Sequence, residues 1–133
     1  MSGLALAGGA RAREWVAILF AGTALFSSAA ARADYRQSYL DGRAALARGD
    51  ADEAARLLAT AVAERPAEQA RARLVGVIPE PYLPHHLLAV AYARLNRCTE
   101  ALREWEVSAA QGVAPALAGP APEAAARVGQ CRR

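Results

Sequence analysis

Pro81–Leu102 reads PYLPHHLLAVAYARLNRCTEAL, and the spacing of its apolar residues decides the fold. Pro84 suits the first turn of a helix, because the N–H it lacks is one that a helix start leaves unpaired anyway. Leu88, Ala89, Tyr92 and Leu95 then recur at helical intervals. Asn96 stands where a left-handed residue is wanted. Ala101, Leu102, Trp105 and Ala109 open a second apolar stripe that ends by Gly112. The segment predicts a helical hairpin.

Upstream the same design recurs. Tyr35, Tyr39, Gly42 and Leu46 mark one helix face, and Gly49 suits a left-handed stop. Asp50 followed by Glu53 has the form of a capping box. Ala54, Leu57, Leu58, Ala61 and Val62 then line one side of a second helix, which Pro66 closes. Between the hairpins, Gly76, Pro79, Pro81 and Pro84 predict an extended Val75–Leu83, with Gln69–Arg73 a candidate last helical turn. Pro115–Pro122 reads as a linker and Glu123–Cys131 as a short helix.

The 133 residues hold 36 Ala, 16 Arg and no Lys, with 54% apolar and only 6% aromatic residues. Such a chain favours helices and excludes an all-β domain. Residues 1–33 read as a secretory signal peptide: Arg11 and Arg13, the uncharged run Trp15–Phe26, then Ala31-Arg32-Ala33, with cleavage expected after Ala33. The run is too short to span a bilayer, which needs about 20 apolar residues. A retained anchor is the alternative. Cleavage would leave a net charge near +1 with Arg scattered among acids, so no basic stripe for nucleic acid is expected.

A shift of 47 residues superposes Gly42 on Ala89, Ala45 on Tyr92, Gly49 on Asn96, Ala54 on Ala101, Leu58 on Trp105 and Ala61 on Ser108. Small residues recur where helices would cross closely. This helix–turn–helix repeat resembles the tetratricopeptide repeat of about 34 residues, over Tyr35–Val113. Gly42, Ala54, Leu58, Ala61 and Pro66 occupy its signature places in the first unit, and Ala89, Tyr92, Ala101, Trp105 and Ser108 in the second. Asp41 and Ala45 depart from the pattern, as does Val113 where a closing Pro belongs. The expected fold is all-α, a short two-repeat tetratricopeptide-like stack with a C-terminal capping helix. Its parts are a first helix pair over 34–66, a Pro-containing insertion over 67–81, a second pair over 82–114, and a linker with a short helix over 115–133.

The resemblance implies a protein-binding scaffold whose inner helices line a concave groove. In this register Arg36, Tyr39, Arg43 and Leu46, then Leu83, His86, Val90 and Ala93, face the groove. Arg36 and Arg43, flanking Tyr39, could hold a carboxylate by bidentate hydrogen bonds or could simply solubilise the helix. The Lys and Asn clamp of chaperone-binding members is absent, since the chain has no Lys.

Cys98 and Cys131 are the only thiols. Export would favour a disulfide that staples the terminal helix to the repeats, and no CxxC spacing points to a redox pair. His85 and His86 are adjacent, so they diverge on a helix and lack the i, i+4 spacing of a helical zinc pair, even with Glu80 nearby. His85 is expected among packing residues and Trp105 in the core. Glu100, Glu104 and Glu106, alternating with Arg97 and Arg103, read as a solvated face. No nucleophile motif, phosphate loop or HExxH is present.

Taken together, these features lead us to expect a non-catalytic protein–protein interaction module of the bacterial envelope, periplasmic or secreted, without cofactor or metal. It would dock a partner peptide or helix in the groove. The competing expectation is an assembly subunit or homo-oligomer packing through its repeat ends, because two repeats leave apolar ends uncovered.

Overall fold

The computed structural model describes residues 34–117 and 122–133. The signal-peptide segment 1–33, its cleavage point and linker positions 118–121 lie outside the described residues. Helices α1 (Tyr35–Ala47) and α2 (Ala51–Glu64) form one hairpin, and α3 (Pro84–Arg94) and α4 (Cys98–Gln111) another. Strands β1 (Gln69–Ala72) and β2 (Glu80–Tyr82) lie between them, and α5 (Val113–Ala116) and α6 (Pro122–Gln130) follow. Packing runs from α1 to α2, α2 to α3 and α3 to α4, with α6 against α3 and α4. The class is mainly α, with one small sheet. Among the described residues no helix is long and apolar enough to cross a membrane.

Both hairpin turns close in the same way. After α1, Gly49 (φ 82) donates its N–H to Leu46 O and Asp50 donates to Ala45 O. After α3, Asn96 (φ 58) donates to Ala93 O and Arg97 to Tyr92 O. These are the two bonds of a Schellman motif, which pair carbonyls that a helix end leaves free. Asp34 and Asp50 cap α1 and α2 through their carboxylates, to Arg36 N and Glu53 N. The Glu53 carboxylate turns to Arg56 instead of returning to Asp50, so only half of the capping box forms.

Small residues let the helices approach. Gly42, Ala54, Leu58 and Ala61 are buried between α1 and α2, and Ala89 and Ala101 between α3 and α4. Tyr92 and Trp105 are half-buried, whereas Pro66 is exposed and contributes its carbonyl to Gln111. Cys98 and Cys131 are joined, fastening the chain after α6 to the start of α4. Closing a loop of this length removes unfolded-state freedom worth roughly 3–4 kcal/mol in the chain-entropy account. Ala124 and Val128 bury the inner side of α6.

The insertion corrects two expectations: of the expected extended run Val75–Leu83 only Glu80–Tyr82 is a strand, and the chain turns at Gly76 (φ 61). Gln69–Arg73 does not prolong a helix: Gln69–Ala72 is a strand, paired antiparallel with Glu80–Tyr82 through a register irregularity. Tyr82 explains why. Its ring is fully buried, edge-on to Tyr35 (5.2 Å between centroids) and Tyr39 (4.8 Å). Its hydroxyl lies 2.8 Å from Arg65 O and 3.2 Å from Ala61 O, serving the carbonyls at the end of α2. Burial raises the Tyr82 phenol pKa far above its ordinary value. Anchored there, β2 lies against the first hairpin and draws β1 beside it.

A Cβ at position 42 would sit 2.7 Å from Leu58 Cγ, inside the core. Gly42→Ala should therefore lower the unfolding free energy by about 1–3 kcal/mol despite the better helix propensity of Ala. Urea denaturation against an exposed Ala44→Gly control checks this.

Candidate functional site

The first-repeat half of the expected groove is already occupied. Tyr39, on the inner face of α1, is buried; its hydroxyl accepts from Leu83 N (3.2 Å) and donates to Pro81 O (3.3 Å). Arg36 Nε donates to Arg73 O (3.0 Å), and Arg43 pairs with Glu80 at 3.6 Å. Thus three of the residues assigned to partner binding instead hold the chain's own β-hairpin. Arg36 and Arg43 remain exposed. Leu46 and Val90 are buried and line no open trough, Leu83 and Ala93 are half-buried, and His86, though largely buried, borders a pocket.

An open pocket lies on the second helix pair. His86, Trp105, Ser108 and Ala109, with Ala114 and Pro115 from α5, enclose a pocket of about 120 Å³ with an almost wholly apolar lining. Its floor is built by local rules. Pro84 sets the first turn of α3, which carries His86 into the core, and the His86 ring packs at a tilt of 34° against Trp105, 4.9 Å between centroids. Gly112 (φ 74) ends α4 and turns the chain back, so that Ala114 and Pro115 form the facing wall. A cavity of about 150 Å³ takes a benzene, so this pocket has room for roughly one aliphatic side chain.

Beneath the pocket lies Glu68, a buried acid that no sequence pattern marks. One carboxylate oxygen accepts from Ser108 Oγ (2.6 Å) and the other from His86 N (3.1 Å). Glu68 N donates to Gln111 Oε1 at 2.7 Å, and Gln111 Nε2 returns to Pro66 O. No side chain of the Leu83 cap serves α3. Glu68 takes that place from 18 residues away, where the positive end of the helix dipole favours an anion. Its position between a helix end and a strand offered no periodicity to read.

The two histidines separate in space as well as in chemistry. His85 Nδ1 meets Glu104 Oε2 at 2.5 Å, joining α3 to α4. Glu104 is therefore a packing partner rather than a member of a solvated face. His86 turns to Trp105. Among the described residues, no group of three or more His, Cys, Asp or Glu is placed to hold a metal ion. Ser108, 2% exposed, donates its hydroxyl hydrogen bond to Glu68, and no hydrogen bond links it to the His86 ring. The arrangement supports apolar contact at its rim and rigid polar bonding below.

Burial holds the His86 pKa below its ordinary value, against an opposing pull from Glu68. An imidazole with a depressed folded-state pKa contributes its full stability above the unfolded value near 6.5 and loses it as pH falls towards the folded value. The difference in unfolding free energy between the natural protein and His86→Phe should therefore shrink or reverse from about pH 7 to pH 5, as read by urea titration at each pH. Removing the Glu68 carboxylate orphans two buried donors. Glu68→Ala should cost about 3 kcal/mol, and Glu68→Gln, which still offers one acceptor, about half of that.

No family model matches the chain, and neither a curated protein nor a solved structure matches it.

Proposed function

We propose that the chain is a non-catalytic protein–protein interaction module of the bacterial cell envelope, built as a short tetratricopeptide-like stack. The observation that carries this reading is the apolar pocket of His86, Trp105, Ser108, Ala109, Ala114 and Pro115. It opens on a surface whose supporting bonds, through Glu68, His85 and Glu104, are satisfied internally. Such a site is suited to receiving one aliphatic side chain of a partner peptide or helix, with affinity from buried area and orientation from the rigid rim. Two helical hairpins with the same Schellman closure 47 residues apart support the repeat reading. The Cys98–Cys131 disulfide fits an oxidising compartment, as export through residues 1–33 would supply.

This reading moves the partner from the α1 face to the second helix pair. Arg36 and Arg43 then serve the β-hairpin instead of a ligand carboxylate. Ala109→Trp, at an exposed position on the pocket rim, should fill the pocket without disturbing the fold. In cross-linking capture from the bacterial envelope, a partner that Ala109→Trp loses and Arg36→Ala/Arg43→Ala keeps is the expected result. The same partners with and without Ala109→Trp would overturn it.

A further inference from the structure

The tip of the β-hairpin carries Val75, Val77 and Ile78, exposed by 61%, 83% and 73%. Among the described residues the next most exposed large apolar side chain, Val107, is only 38% exposed. These three lie within four residues, turned outward at Gly76 (φ +61), where an added Cβ would meet nothing within 4 Å. The base of the hairpin is fastened, by Arg36 to Arg73 O, Arg43 to Glu80 and Tyr39 to Pro81 and Leu83. Leu74, Ala72 and Tyr82 point inward and supply its packing. The fold therefore holds three aliphatic side chains out in water, where they contribute nothing to the core.

Two arginines precede them on the first arm. Arg71 and Arg73 alternate with buried Ala72 and so share the exposed face of the first arm. Neither makes a salt bridge among the described residues, and the nearby acid Glu80 is engaged by Arg43. A stable protein interface buries about 800 Å² on each partner and centres on aromatic or Arg anchors in pockets. This tip is convex, purely aliphatic and three side chains wide. A bilayer surface asks for just that: a few aliphatic groups at the acyl boundary and cations facing anionic headgroups.

We infer that the hairpin tip docks on anionic lipid, with Val75, Val77 and Ile78 entering the interface and Arg71 and Arg73 facing the headgroups. This surface is separate from the pocket and does not depend on its having a partner. The test uses the full chain labelled with an environment-sensitive fluorophore at Ile78→Cys; with Cys98 and Cys131 bonded, that thiol is the only free one. Vesicles are phosphatidylcholine alone or with about one third phosphatidylglycerol, an anionic fraction large enough to attract basic groups. Emission should shift to the blue on the anionic vesicles, and a label at exposed Ala125→Cys on α6 should not shift. Val77→Asp should weaken vesicle binding about tenfold or more. Arg71→Ala/Arg73→Ala should weaken it by about fivefold per Arg, with high salt doing the same.

An unshifted Ile78 label would overturn the inference. So would unchanged binding by Val77→Asp, which would assign any vesicle affinity to residues 1–33 or another surface. A shift that grows with protein concentration without lipid would assign the tip to a second copy, and the inference would fall.

Discussion

The carboxylate of Glu68 is the contact on which the arrangement of the two helical hairpins depends. It meets α3 through His86 N and α4 through Ser108, while its own backbone N–H is held by Gln111. A helix that starts at Pro84 behind Leu83 has no cap of its own. Its exposed amide would carry a desolvation cost once buried under the insertion. By supplying the acceptor from the linker after α2, Glu68 makes the start of α3 conditional on the placement of that linker. The order of the chain and the packing of the second hairpin are thereby tied together.

The insertion follows from that constraint. With Glu68 fixed at the start of α3, the chain between positions 69 and 82 must leave and return within a short distance, and an antiparallel pair of strands does so. Tyr82 seats the returning strand among Tyr35, Tyr39 and the last carbonyls of α2. The inner face of α1 becomes the bed of the hairpin. Among the described residues, the pocket beside His86 and Trp105 and the outward tip Val75–Ile78 stay uncovered by the insertion.

The helices were legible because their signals are local. Asp50 capped as its position implied, Gly49 and Asn96 took the left-handed conformation, and Cys98 reached Cys131. The prolines marked Glu80–Tyr82 as extended, but the first strand was not legible, because Gln69–Ala72 is built of Gln, Ala and Arg, which carry no strand preference. The strand pairing is imposed by the burial of Tyr82, a long-range contact. Helical register alone placed Tyr39 and Val90 on the groove side without showing what lay over them: both are buried. Glu68 and the Glu104 partnership with His85 join elements far apart in sequence, and no spacing rule reaches them.

Native-state hydrogen exchange of the His86 and Leu83 amides tests most directly whether the insertion is a structural part of the fold. His86 N–H is held by Glu68 and Leu83 N–H by Tyr39 Oη. If the insertion, α3 and α4 form one cooperative unit, both amides should exchange only through global unfolding, with the same denaturant dependence as the buried amides of α3 and α4. Exchange of these two amides through a local opening, at a free energy well below that of the helices, would contradict the account. It would show a hairpin laid on a stack that stands without it.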